Sequence, residues 1–154
     1  MTEILSLSQT ESSPKTSGER GERGEKLAYE FLLQRNYRIV CANFKVPVGR
    51  NRRGAIVTGE IDLIAYDGNM LCFIEVKTRS TDEFASPLAA VDLRKQRQII
   101  RAARAYRKIF HLQNARVRYD VVSIVLKNEA KPEIELHRGF FDESKFRKKS
   151  RFEN

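Results

Sequence analysis

The residues with the clearest chemical potential are Asp62 and, after a short turn, the pair Glu75 and Lys77. Because side chains alternate along a strand, Glu75 and Lys77 share one face of theirs. Two neighbouring carboxylates repel each other unless a cation neutralises them, and Mg²⁺ prefers oxygen ligands. With Lys77 beside the carboxylates, this set predicts hydrolysis in which a bound cation polarises a phosphoryl oxygen and activates a water.

The turn that joins these residues lies within Asp67-Gly68-Asn69, and two positions for it are open. If the last two residues form the turn, Asp62 lies opposite Glu75; if the first two do, it lies opposite Phe73. Both registers keep the carboxylates and the lysine on one face. The alternative interpretation is an exposed trio of charges on an edge hairpin, because an aspartate followed by a short ExK motif also occurs by chance.

Glu25 is a third candidate carboxylate. Apolar residues recur at helical spacing between Leu27 and Leu32, and Glu25 lies at the rim of their face, from which it could reach the sheet. Glu30 points away from that face. The alternative for Glu25 is a carboxylate at a helix N-terminus, stabilised there by the helix dipole.

Basic residues dominate the chain and concentrate in one segment. There are 29 Lys and Arg against 20 Asp and Glu, a net charge of +9, and the nine cations between Leu93 and Tyr119 equal that excess. On a helix from Arg94 to Phe110, five of them step by three and four residues into one stripe, which predicts a polyanionic partner. A solvated outer face is the alternative.

Lys95 departs from this stripe, because it lies in the apolar sector of the helix and so at the sheet. A snorkelling lysine is the alternative interpretation. We expect phosphate contacts, without sequence readout, from this helix, from the basic stretch after Pro47 and from the end of the ExK strand. The residues predicted to bind nucleic acid, most likely DNA, are Arg50, Arg52, Arg53, Arg79, Arg94, Lys95, Arg97 and Arg101.

The elements that must position these residues follow the order α-β-β-β-α-β-β. A strand, a crossover helix and a strand between Leu71 and Leu126 predict a parallel pair, so we expect an α/β fold with a mixed central sheet flanked by helices. Residues 1–20 are predicted to be a disordered polar arm, 21–141 one domain and 142–154 a basic tail. The stretch 47–59 is predicted to be a mobile basic loop, whose last part could extend the next strand.

Several protein classes are excluded. No apolar stretch approaches the roughly 20 residues of a membrane helix, and the N-terminus has no signal or transit pattern, so we expect a cytoplasmic protein with no membrane partner. Cys41 and Cys72 lie in apolar runs, as buried thiols do. His111 and His137 are far apart in the sequence, which leaves no zinc site and no evident Ser-His constellation.

Taken together, these segments resemble the YraN family of small bacterial proteins, within the restriction-endonuclease-like PD-(D/E)xK superfamily. They are also similar to the archaeal Holliday junction resolvases. The resemblance covers roughly residues 21–125. The matching segments are Arg23-Gly24-Glu25 with Ala28 and Leu32, Asn43-Phe44, Gly59 to Ala65, Phe73 to Arg79, Lys95, and Tyr119 to Val122.

The resemblance implies a restriction-endonuclease-like αβββαβ core and hydrolysis of DNA phosphodiester bonds, at branched or damaged sites, with Mg²⁺ or Mn²⁺. Glu25, Asp62, Glu75 and Lys77 would be the catalytic residues. Asp62 and Glu75 would bind the metal, Glu25 would bind the metal or its water, and Lys77 would position the nucleophile. A resolvase-like activity would require a homodimer with two active sites.

Two other functions fit the same sequence. A non-catalytic nucleic-acid-binding module would bind without divalent cations and would tolerate Asp62→Ala. A basic adaptor for an acidic protein would be displaced by nucleic acid.

Overall fold

The computed structural model describes residues 16–81 and 85–147, which form a five-stranded sheet with one long helix on each face. The strands lie in chain order across the sheet, and all neighbours are antiparallel except the parallel third and fourth. The predicted mixed α/β fold with an αβββαβ core is confirmed. The long elements are α1 (Ser17–Gln34), β1 (Arg38–Arg50), β2 (Ile56–Asp67), β3 (Met70–Ser80), α2 (Leu93–Ile109), β4 (Val117–Leu126) and β5 (Glu133–Phe141).

Each face of the sheet carries its own hydrophobic core. On one face, Ile99 and Tyr106 of α2 pack on Phe73 of β3. On the other, Ala28 and Leu32 of α1 pack against the sheet. Both helices bury only one apolar stripe, which is the pattern that their helical spacing predicts. The central strand β3 is therefore covered on both sides, and polar groups on it need partners.

The hairpin of β2 and β3 fixes the register of the candidate site. Asp67 pairs with Met70, and Leu63 pairs with Ile74. The turn is therefore the two-residue Gly68-Asn69, with Gly68 at a φ of 60° that suits glycine. Of the two registers left open by the sequence, this one points Asp62 toward Glu75.

The stretch 47–59 is a β-ribbon and not a loop. β1 runs to Arg50 and β2 begins at Ile56, with the turn closed by Asn51, whose Oδ1 accepts the N–H groups of Arg53 and Ala55. Such a side-chain turn is a common use of asparagine. The pairing of β2 with β3 ends at Leu63, so the distal part of β2 pairs with β1 alone within the described ladders. The sequence-based expectation that the last part of this stretch extends the next strand is confirmed.

Both ends of the domain extend past the predicted boundaries. Helix α1 begins at Ser17, because Thr16 accepts the N–H of Glu19 as an N-cap, so part of the predicted arm is helical. Residues 1–15 and 148–154 of the predicted arm and tail lie outside the described residues. In the described tail, Ser144–Phe146 form a 3₁₀ turn. Within the described ranges, neither helix combines the length and the apolar character needed to cross a bilayer.

Candidate active site

Glu75 is the centre of the candidate site. Its carboxylate is only 3% exposed, and two lysine ammonium groups lie 3.3 Å from the same oxygen, Oε1. One is Lys77, two residues along β3. The other is Lys95, which lies in the first turn of α2, where Asp92 accepts its N–H as an N-cap. The second oxygen, Oε2, is buried and has no hydrogen-bond partner among the described residues.

Asp62 adjoins the last β2–β3 ladder pair, Leu63 and Ile74, so the register brings it beside Glu75, and the alternation of β2 breaks at this point. Ile61 and Ile64 both pack in the core under α2, although they are three residues apart. The neighbouring position on β1 is Asn43, which adopts a φ of 52°. Asp62 Oδ2 accepts the N–H of Val76 at 2.7 Å, so its side chain takes the position that a strand carbonyl would have. This hydrogen bond ties the aspartate to β3 next to the glutamate.

The surroundings of Asp62 and Glu25 disfavour the charged form of each carboxylate. Burial, reinforced by the charge of Glu75, raises the pKa of Asp62 to about 8. Burial also raises the pKa of Glu25, with contributions from Glu60 and Glu75. A group of carboxylates whose members favour protonation is a site that a cation would stabilise.

These properties fit a divalent metal at Asp62 and Glu75. The partnerless Oε2 of Glu75 and the raised pKa of Asp62 are what an oxygen donor set shows without its cation. Within the described part of the chain, however, no group of three or more His, Cys, Asp or Glu lies close enough together to hold a metal ion. The metal would therefore have two carboxylate ligands here, completed by water or substrate oxygens.

Glu25 lies at the wall of the site and does not complete a three-ligand set. It lines a cavity of about 510 Å³ together with Asp62 and Asn43. Helix α1 comes this close because Gly24 packs directly on β3: a Cβ there would lie 1.9 Å from Thr78 Oγ1. The glycine before Glu25 thus sets its distance from the sheet.

Of the predicted nucleic-acid-binding residues, Lys95 lies in the site and contacts Glu75. Arg94, Arg97 and Arg101 are exposed along α2, and Arg79 lies two residues past Lys77 on β3. The other three lie at the distal end of the β1–β2 ribbon. These are Arg50, whose guanidinium donates to the Gly54 carbonyl, with Arg52 and Arg53.

The sequence does not predict a serine–histidine pair that is present in the structure. Ser123 Oγ lies 3.0 Å from His137 Nε2, and Ser123 is the β4 partner of Lys77 in the parallel ladder. Glu135 approaches the same Nε2, at 3.6 Å, and so does not orient the other ring nitrogen as in a catalytic triad. The signal that could have located the pair is the β4–β5 register, which no local pattern reveals.

Comparison with known proteins places the chain in a family. The model of the uncharacterised protein family UPF0102 matches residues 24–124. A UPF0102 protein of Solibacter usitatus (strain Ellin6076) is 40% identical over 121 residues, 79% of this chain and 84% of that protein. A UPF0102 protein of Chlorobium limicola (strain DSM 245 / NBRC 103803 / 6330) is 43% identical over 105 residues, 68% of this chain and 74% of that protein. The matched residues include Glu25, the β2–β3 hairpin and α2. The chain therefore belongs to the UPF0102, or YraN, family.

Proposed function

We propose that this protein is a Mg²⁺- or Mn²⁺-dependent nuclease that hydrolyses phosphodiester bonds in DNA. One observation carries the proposal: the half-buried Asp62 lies next to the buried Glu75, and Lys77 and Lys95 both contact Oε1 of Glu75. Anionic metal ligands beside cationic side chains are suited to a phosphate, whose charge grows toward the transition state of hydrolysis.

Each residue has a separate task in this scheme. Asp62 and Glu75 would hold the cation, which when bound supplies Lewis acidity and lowers the pKa of a water. Lys77 is about a quarter exposed, so its ammonium group can leave Glu75 to orient a water or meet the developing charge. Glu25, at the cavity wall, would accept a hydrogen bond from a water of the site.

Cleavage of a substrate panel tests the proposal. Purified protein is incubated with single-stranded, duplex, forked and four-way-junction DNA, with Mg²⁺ or Mn²⁺ and with EDTA. We expect metal-dependent products that disappear in Lys77→Met and persist in Lys131→Met, an exposed lysine between β4 and β5. Cleavage that is unchanged in Lys77→Met would assign the activity to a contaminant and overturn the proposal.

A non-catalytic nucleic-acid-binding module is the second candidate. It is favoured by the way Lys77 and Lys95 already neutralise Glu75 without a metal. This module would bind DNA in EDTA, leave every panel substrate intact and bind equally well as Asp62→Ala. The same panel therefore separates the two functions.

Two further properties belong to the proposal. Cleavage of both strands at a four-way junction would need two active sites, and hence a homodimer, which light scattering with and without junction DNA would detect. A cytoplasmic location follows from a DNA substrate and is testable by fractionation.

A further inference from the structure

A groove of about 800 Å³ lies between α2 and the C-terminal segment 144–147. One wall is the outer face of α2 and the other is the segment, which the sequence presents only as part of a basic tail. Ile100 and Phe146 contribute the apolar lining. The cations that line the groove are Arg97, Arg101, Arg104, Lys145 and Arg147.

Specific contacts hold the second wall in place. Glu143 accepts the hydroxyl of Tyr119 at 2.6 Å and the guanidinium of Arg104 at 3.2 Å. Burial alone would raise the pKa of Glu143, but these hydrogen bonds outweigh it and lower that pKa. Phe146 packs on the core under α2, and the guanidinium of Arg97 lies 5.6 Å above its ring. The segment is thus built onto the fold.

The charges of this groove are mostly unbalanced. The carboxylate of Glu143 forms ion pairs with the guanidinium groups of Arg104, at 3.2 Å, and Arg107, at 3.7 Å. Across residues 16–81 and 85–147, no ion pair joins Arg101, Lys145 or Arg147 to a carboxylate. Like charges that face each other across a groove repel, and a polyanion threaded between them relieves that repulsion.

We infer that this groove binds the sugar–phosphate backbone of a nucleic-acid strand. Guanidinium groups fit phosphates, and the apolar lining suits sugars and bases. The inference rests on nucleic acid as the partner in the proposed function, but not on cleavage. Lys95, at the carboxylates, and Arg101, in the groove, are six residues apart on α2, or about 9 Å along its axis. A strand in the groove would therefore lie within about one or two helical turns of the carboxylates, on a different face of α2.

Fluorescence anisotropy of the full chain with a labelled single-stranded oligonucleotide, in EDTA, tests this inference. The double variant Arg101→Glu/Arg147→Glu is compared with Arg35→Glu/Lys131→Glu, which changes the net charge equally at exposed positions that do not line the groove. We expect the groove variant to raise the Kd at least about tenfold more than the control. The slope of log binding constant against log salt concentration should become less steep by about 1.4 if two phosphate contacts are lost.

Equal weakening in both double variants would reduce the effect to net charge and overturn the inference. Displacement of the oligonucleotide by polyglutamate at equal charge concentration would also overturn it, in favour of an acidic protein partner. If the charge-reversed variant does not fold by circular dichroism, Arg101→Gln/Arg147→Gln answers the same question. Because EDTA excludes metal-dependent cleavage, loss of the proposed nuclease activity leaves this result standing, and failure of groove binding leaves the nuclease test intact.

Discussion

Two buried carboxylates on neighbouring strands have opposite surroundings. Asp120 on β4 is 0% exposed, and both its oxygens accept hydrogen bonds, from the Arg118 guanidinium and from the N–H of Gly139. Arg118 in turn donates to Asp67 and to the hydroxyl of Tyr37. Glu75 on β3, under α2, has one oxygen shared by two lysines, and its other oxygen has no hydrogen-bond partner in the described part of the chain.

The difference separates a structural charge from one available for chemistry. A fully hydrogen-bonded buried ion pair has no capacity left for a ligand, and removing one partner leaves an uncompensated charge. A half-satisfied carboxylate beside an aspartate of raised pKa retains that capacity. The comparison also shows that burial alone does not mark a functional residue, because Asp120 is the more buried of the two.

The largest expected effect on stability is at Asp120, the structural carboxylate. Asp120→Ala should lower the free energy of unfolding by about 3–5 kcal/mol, because Arg118 would lose its buried partner. Urea unfolding in EDTA measures this change. Asp67→Ala is the matched control and should cost at most about 1 kcal/mol, since the Asp67 side chain is 30% exposed. Equal losses in the two variants would contradict the assignment.

At the other end, Glu75→Gln should act on cleavage and not on folding. Loss of a charged ligand should reduce metal-dependent cleavage at least about 100-fold, because a bound cation stabilises the transition state by several kcal/mol. The free energy of unfolding in EDTA should change by less than about 1 kcal/mol, since both lysines reach solvent. A strongly destabilised variant would make Glu75 structural, like Asp120.

Gly24→Ala tests how closely α1 must approach β3 beside the candidate site. The added methyl group would overlap Thr78, so we expect a loss of about 1–3 kcal/mol in the free energy of unfolding. Gly21→Ala, in the same helix, is the control, because a Cβ there would meet no neighbouring atom of residues 16–81 and 85–147 within 4 Å. That variant should be neutral or stabilising by up to about 1 kcal/mol. The result fails the expectation if both variants behave alike.

Asp62→Asn should stabilise the metal-free protein, and only at higher pH. An unfolded aspartate titrates near about 3.9, whereas the folded pKa of Asp62 is about 8, so stability declines as the pH rises between these values. In EDTA the variant should be more stable than the parent at pH 8, and the difference in the free energy of unfolding should close toward pH 4. Urea unfolding at pH 4.5, 6 and 8 measures this. Glu129→Gln, at an exposed glutamate, should show no such trend.

The sequence limits the β2–β3 hairpin to two registers, because the register depends on residues that are close together in the chain. A period of two and a short turn restrict it to two choices, both of which bring Asp62 to the face of Glu75 and Lys77. The helical spacing of α2 likewise places Lys95 at the sheet. Local geometry therefore predicted most of the candidate site.

Features that depend on distant segments were not predictable in this way. Pro47 and Gly49 obscure the alternation of the β1–β2 ribbon, which also carries a register shift between them. The pairing of Ser123 with His137 depends on the β4–β5 register. Glu143 reaches Tyr119 only after two strands have been placed. In each case the partner is chosen by packing and not by a nearby motif.

The distal part of the β1–β2 ribbon extends beyond the rest of the sheet. Gly59 is the point at which the ribbon packs on α2, since a Cβ there would lie 2.8 Å from Val48 Cγ1 and 3.0 Å from Ala102 Cβ of α2. From Gly59 to Ile56 the strand projects about 10 Å, before the turn adds further reach. Because Gly59 packs this closely on α2, its contact sets the direction in which the ribbon leaves the domain, and with it the position of Arg52 and Arg53 at the tip.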